Sequence, residues 1–326
     1  MTTLYRWEFR PYQRRFRQPM QTRHGSWEVR EGIILRLTDG RGQVGWGEIA
    51  PIPWFGSETL EQALFFCQQL PLEITATDIF SIPAELPACQ FGFESALGLE
   101  NGDLAAGRQG ISPPPSSLLF SCLLPTGEAA LHSWQQGWNC GYRTFKWKIG
   151  VAIIEDELKL FDQLVQALPQ SAQLRLDANG GLTRQTTHRW LKACDEAGIV
   201  EFLEQPLPPE EFEVMQAMSD RYATSIALDE SVATLEQLEN SYQKGWRGIF
   251  VIKAAIAGSP KRLRQFCKEQ DIDTVFSSVM ETPIGRQAAL QLAGELSHRD
   301  RAVGFGVYHW FTEDEREFLE RLWNSH

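Results

Sequence analysis

Lys146 and Lys148 flank Trp147 in the stretch Tyr142-Arg-Thr-Phe-Lys-Trp-Lys-Ile-Gly150. An extended strand turns residues i and i+2 to the same face, so both amines would enter one cavity. Two ammonium groups held close together resist double protonation, and a nearby cation adds to that resistance. An amine that titrates near ~10.4 in water could then act as a base at neutral pH. A lone Lys-x-Lys also suits a solvated strand face, so the pair gains meaning from the residues downstream.

Three of those residues are acids. Asp177, Glu204 and Asp229, then Lys253, Ser277 and Gly304, each sit at or near the end of a short apolar run, at intervals of roughly 25 residues. Taken singly, such an acid reads as a turn or helix cap, and Asp177-Ala-Asn-Gly-Gly and Asp229-Glu-Ser fit that pattern. Taken together, three converging carboxylates would repel one another and shift upward unless a cation joined them. A hard, oxygen-liking divalent ion answers that need: Mg²⁺, with Mn²⁺ able to substitute. No histidine stands at these ends, which argues against zinc. Lysines on both sides of such a metal suit removal of a proton next to a carboxylate. The metal would stabilise the resulting enediolate, with Lys148 and Lys253 on its opposite faces.

The elements that must position these groups are legible as texture. Residues 4–17 and 28–38 read as strands joined by the loop 18–27, and Asp39-Gly40 signals a hairpin into 43–48. Helical spacing follows over 58–70 and about 90–106. This gives an α+β unit over 1–110, ended by the linker Gly110-Ile-Ser-Pro-Pro-Pro-Ser-Ser117. Eight strand candidates then alternate with helices over 111–310, beginning at 118–124, 144–149, 174–177, 200–204, 225–229, 249–253, 274–278 and 302–305. Repeated βα units close into a parallel (β/α)₈-type barrel whose active site lies at the C-terminal strand ends. The tail, 311–326, is acidic and aromatic, and is expected to pack back on the first unit.

Composition sets limits. The 326 residues suit two domains, and 43% hydrophobic content supports a globular core. A net charge of −11 argues against nucleic acid and anionic membranes as partners; the small-molecule carboxylate expected from the lysines and metal would need that local positive charge to attract it. The six cysteines contain no C-x-x-C pair and read as buried thiols of a reducing compartment. No apolar run approaches 18 residues and the N-terminus lacks an apolar signal core, so a cytoplasmic protein is expected. Monomer and homo-oligomer both stay open.

The ordered set resembles the enolase superfamily, in its muconate-lactonizing subgroup, over nearly the whole chain. Gly47-Glu-Ile-Ala-Pro-Ile-Pro-Trp-Phe-Gly-Ser-Glu-Thr59 and Phe91-Gly-Phe-Glu-Ser-Ala-Leu97 are similar to capping-domain segments of that subgroup. Lys146-Trp-Lys148, Arg175-Leu-Asp-Ala-Asn179, Glu204-Gln-Pro, Asp229-Glu230-Ser and Lys253 resemble its barrel motifs. The absence of a histidine on the seventh strand sets the chain apart from the mandelate-racemase branch.

The resemblance implies a (β/α)7β modified TIM barrel with an N-terminal α+β capping domain. It implies Mg²⁺ held by Asp177, Glu204 and Asp229, a lysine base with the metal being the superfamily's solution for an enediolate. Lys148 would be base and then acid in a syn dehydration of 2-succinyl-6-hydroxy-2,4-cyclohexadiene-1-carboxylate to o-succinylbenzoate, on the route to menaquinone or phylloquinone. Lys146 would assist by charge, and Lys253 would be a cation over the ring face. Asn179 and Arg175 would support Asp177 and the lysines, though a plain structural role for Arg175 fits equally, and Glu230 would stand beside the metal site. Ser277, Ser278 and Gly304 would meet substrate oxygens or simply permit tight turns. Arg23, in the loop Met20–Gly25, would be a contact from above. Ser277–Gly285 is also similar to N-acylamino acid racemases, so a racemase, epimerase or cycloisomerase remains the alternative. A barrel that binds an anionic metabolite without turnover is the reading from another class.

Overall fold

The computed structural model of the chain describes residues 3–22, 25–98, 118–298, 300–306 and 310–324. Arg23 and the proline linker at 110–117 lie outside these residues, as does the end of the helix expected to 106. Among the described residues, strands form a four-stranded and a seven-stranded sheet.

The first sheet has the order β3-β2-β1-β4: β1 Leu4–Thr22, β2 Gly25–Asp39, β3 Val44–Ile49 and β4 Glu73–Thr75. The ladder between β1 and β2 continues to Thr22 opposite Gly25, with a register shift between Arg15 and Met20. The loop expected over 18–27 is thus mostly strand, because its residues pair across the hairpin. A bulge of this kind bends a long ribbon and re-aims its end. Ile33, Ile34, Leu35 and Leu37 are all buried, so β2 does not alternate as a half-solvated strand would. The reason is that both sheet faces are covered. One packs on the helix Pro87–Gly98, the other on Phe318 and Trp323 of the helix Glu315–Asn324. There Phe318 meets Tyr12 edge-on at 5.6 Å, and Trp323 meets Trp46 at 4.6 Å.

The second sheet is parallel and follows chain order: β5 Ser121–Leu123, β6 Thr144–Lys148, β7 Gln173–Asp177, β8 Val200–Glu204, β9 Ser225–Leu228, β10 Ile249–Ile252 and β11 Thr274–Phe276. Bridges Phe120–Val303 and Ser277–Gly304, both parallel, close the ring through an eighth, two-residue stave. This is the barrel expected from the repeat, with helices on its outside. Alternation along β6 sends Trp147 outward, where it meets Trp190 edge-on at 6.4 Å, and leaves Lys146 and Lys148 facing inward. Phe202, Ala227, Ile249, Val251 and Val275 form the apolar plug of the barrel.

The cysteines were expected to be buried thiols, and four fit: Cys67, Cys89, Cys194 and Cys267. Cys122 is half-buried and Cys140 exposed, the latter at the C-terminal end of the helix Ala130–Asn139, which faces solvent there. No described helix is long and apolar enough to cross a membrane.

Gly47 is required by backbone approach. A Cβ there would lie 2.0 Å from the Gly92 carbonyl oxygen of the packed helix. Gly47→Ala is expected to destabilise the protein by about 1–3 kcal/mol through forced separation of strand and helix. Urea midpoints measure this; an unchanged midpoint would show that the contact has slack.

Candidate active site

Parallel strands all end on one rim, and register sets which side chains meet there. Lys148 stands opposite Asp177, and Asp177 opposite Glu204, on three neighbouring strands. Asp229 follows β9 and Lys253 follows β10. All of these side chains, with Lys146, line one cavity of about 550 Å³, a size suited to a small ligand. β6 and β10 are separated by β7, β8 and β9, so Lys148 and Lys253 face each other across the mouth.

The three lysines differ in what holds them. Lys146 Nζ lies 2.8 Å from Asp177 Oδ2 and 2.7 Å from Glu204 Oε1. Lys253 is ion-paired with Asp229, and its Nζ sits 4.0 Å from the centroid of the Phe55 ring. Lys148 makes no hydrogen bond or ion pair with a described residue, although it opens on the same cavity. The amine expected to be lowered by crowding behaves differently at Lys146. Burial pulls it down, but the charges of Asp177, Glu204 and Asp229 outweigh burial and hold it above the ordinary lysine value. A tightly paired Lys146 is a fixed cation rather than a base.

The acids strain against one another. Burial, then the charge of Asp177, pushes the Glu204 carboxyl well above the usual range, against the pull of Lys146. Burial also raises Asp229, with Lys253 opposing and Glu230 adding to it. Asp177 alone is lowered: burial acts against ionisation, but Lys146 and the Asn179 N–H at 2.9 Å prevail. Glu230 is raised by burial and by Asp177, and its buried Oε2 has no hydrogen-bond partner among the described residues.

This donor set fits a hard divalent cation. It offers only oxygens, several of them held back from ionisation by their neighbours, which bound positive charge would relieve. Among the described residues, however, no three acids stand close enough to form a ready cage. The ammonium groups of Lys146 and Lys253 lie against the carboxylates and serve as their counter-charges.

The supporting residues divide. Asn179 has a left-handed backbone (φ +44°) and bonds Asp177 through its N–H and Glu230 through its side-chain amide at 3.3 Å. Two roles were open to Arg175, support of Asp177 and the lysines or a plain structural one, and its contacts are of the second kind. Its guanidinium bonds Glu201 at 2.6 Å and the Ala302 carbonyl at 2.6 Å, because it points inward one level below the rim. Ser277 lines the cavity beside Gly304, where a Cβ would come within 2.8 Å of the Ser277 hydroxyl. Ser278 also lines it, but its hydroxyl donates to Glu281 at 3.0 Å, inside its own loop.

Gln205, buried and left-handed (φ +35°), was not anticipated from the sequence. Its Oε1 accepts the Asp229 N–H at 2.9 Å, and its Nε2 donates to Ser231 at 2.7 Å, tying two strand ends together. The only local signal was its place in Glu204-Gln-Pro. A cover was expected from the loop Met20–Gly25, of which Met20 and Thr22 line the cavity; the further roof residues Trp27, Ile52, Trp54, Phe55 and Trp310 were not anticipated. Trp27 and Trp54 meet edge-on at 5.0 Å.

Comparison with known proteins agrees with this geometry. Residues 129–321 match the family model "Enolase C-terminal domain-like", and residues 2–99 match "MenC, N-terminal domain". The o-succinylbenzoate synthase of Thermosynechococcus vestitus is 41% identical over 325 residues, covering 98% of each chain. A solved o-succinylbenzoate synthase from Thermosynechococcus elongatus BP-1, complexed with Mg in the active site, superposes with a TM-score of 0.87 at 39% identity, covering 98% of this chain and 100% of that one. The L-Ala-D/L-Glu epimerase of Bacillus subtilis shares the fold, with a TM-score of 0.74 at 20% identity over 95% of this chain and 91% of that one. A capping sheet, a rim of lysines and acids, and near full-length identity to one kind of enzyme converge on one assignment: the chain belongs to the o-succinylbenzoate synthase family of the enolase superfamily.

Proposed function

We propose that the chain is a Mg²⁺-dependent lyase that dehydrates 2-succinyl-6-hydroxy-2,4-cyclohexadiene-1-carboxylate to o-succinylbenzoate, in the biosynthesis of menaquinone or phylloquinone. The observation that carries this reading is the contrast among the lysines: two are tied to carboxylates and Lys148 alone is unpaired among the described residues. Lys148 removes the proton next to the substrate carboxylate. The same ammonium then returns that proton to the ring hydroxyl, which departs as water, so both events occur on one face. Lys253, held by Asp229 and Phe55, presents fixed positive charge to the other face. Lys146 adds charge beside the acids. Asp177, Glu204 and Asp229 are the proposed Mg²⁺ ligands, and the bound ion would neutralise charge that builds on the substrate carboxylate. Asn179 and Glu230 support that set, while Ser277 and Gly304 offer polar edges for the succinyl oxygens.

A racemase or epimerase would have to exchange protons on both faces. That reading requires Lys253 to give up its ion pair, which favours the one-base dehydration. Six unpaired thiols support a reducing, cytoplasmic setting.

Lys148→Ala is expected to keep fold and thermal midpoint while dehydration, followed by loss of diene absorbance, falls roughly 10²–10⁴-fold. Near-wild-type turnover would remove Lys148 from the role of base. EDTA should abolish the wild-type rate and Mg²⁺ restore it; a chelator-resistant rate would leave the acids without a metal to hold. Incubation of an N-succinyl amino acid in D₂O should give no α-deuteration while dehydration is rapid. Exchange at a comparable rate would favour the racemase.

A further inference from the structure

Glu48 on β3 has none of its surface exposed, yet it lies outside the rim of lysines and acids. Its carboxylate accepts the Tyr12 hydroxyl at 2.5 Å, the Thr282 hydroxyl at 2.5 Å, the Thr282 N–H at 2.8 Å and the Gly285 N–H at 3.0 Å. Thr282 precedes the helix Pro283–Leu296, so the anion fills a first turn whose unpaired N–H groups and dipole favour it. Gly285 fits only because it lacks a side chain: a Cβ would come within 2.6 Å of Glu48 Oε2.

Two walls of the cavity leave from this point. On the barrel side, Ser277–Met280 lines the cavity and leads into Thr282. That turn carries Met280 in the left-handed region (φ +58°), and Glu281 braces it by accepting the Val279 N–H at 2.6 Å. A non-glycine residue held there persists only when its surroundings over-determine it. On the other side, β3 leads from Glu48 to Ile52, Trp54 and Phe55, which line the roof. The link is stiff: buried Arg30 donates to the Ala50 carbonyl at 2.5 Å and the Pro51 carbonyl at 2.9 Å. Glu94 makes a useful contrast. It too joins the first unit to a barrel helix, accepting the Lys261 N–H at 3.0 Å, but no cavity-lining segment adjoins it.

We infer that Glu48 is a positioning residue for substrate binding: one buried carboxylate sets the spacing between the roof 52–55 and the barrel wall 277–280. The inference rests on the proposed dehydration only for its kinetic assay. Glu48→Gln keeps the shape and loses the charge, Tyr12→Phe removes one donor, and Glu94→Gln serves as the interdomain control. Glu48→Gln should raise KM about tenfold, the size of one charge-assisted hydrogen bond, with little change in kcat. Hydrogen exchange should quicken in peptides covering 50–57 and 277–285 together. Tyr12→Phe should move both readouts the same way and less far. Glu94→Gln should lower the thermal midpoint and leave KM alone. A Glu48→Gln protein that only melts earlier, with KM and both peptides unchanged, or that loses kcat at unchanged KM, would overturn the inference. If the wild type fails to dehydrate the substrate, the functional reading falls. Exchange at the two walls then still decides the role of Glu48: joint loosening supports it and unchanged exchange overturns it.

Discussion

Parallel strands bring their C-terminal residues to a single rim, and in this chain those residues are charged. Asp177, Glu204, Asp229 and Glu230 share a space that water only partly reaches, so each raises the cost of ionising the next. The ammonium groups of Lys146 and Lys253 offset part of that cost. An apolar plug beneath and a roof of aromatic rings above keep the dielectric low, which strengthens attraction and repulsion alike. The barrel must therefore be rigid enough to hold the groups in register, and the ladders across β6, β7 and β8 supply that rigidity.

Below the rim the same problem recurs in a quieter form. Arg175, Glu201, Arg301 and Asp273 make a chain of ion pairs that runs from the buried interior to partly exposed Asp273, each charge bonded to the next. Burying these groups is tolerable because they are paired almost throughout. The network sets a polar floor under the lysines, and Arg175, stacked 4.7 Å from the Phe202 ring, spans the boundary between floor and apolar plug.

Much of this was readable from the chain because the repeat is regular. One polar residue at the end of each strand–helix unit was enough to place Lys148, Asp177, Glu204, Asp229 and Lys253 on one rim. The unreadable part depends on how far side chains reach, which spacing does not encode. Arg175 shares a motif with Asp177, yet two residues along a strand is one level down the barrel, and it bonds elsewhere. Ser278 turns its hydroxyl to Glu281 because its loop closes on itself. The roof is assembled from β1, β2, the 52–55 turn and Trp310, so no local pattern announces it. The described residues of the loop expected at 18–27 are strand because the Gln and Pro residues there hide a ladder made possible by a bulge.

The first fifty residues make a sheet with two apolar faces, and one of them is covered by Phe318 and Trp323. During synthesis that face is made well before Phe318 and Trp323, and it stays bare until they follow. The capping sheet waits for the helix Glu315–Asn324, and Arg17, which bonds the Trp310 and Phe311 carbonyls, waits for the residues just before it. Native packing of the capping sheet thus depends on residues made long after it, and nascent chains halted before Phe318 carry an uncovered hydrophobic surface for chaperones or aggregation to find.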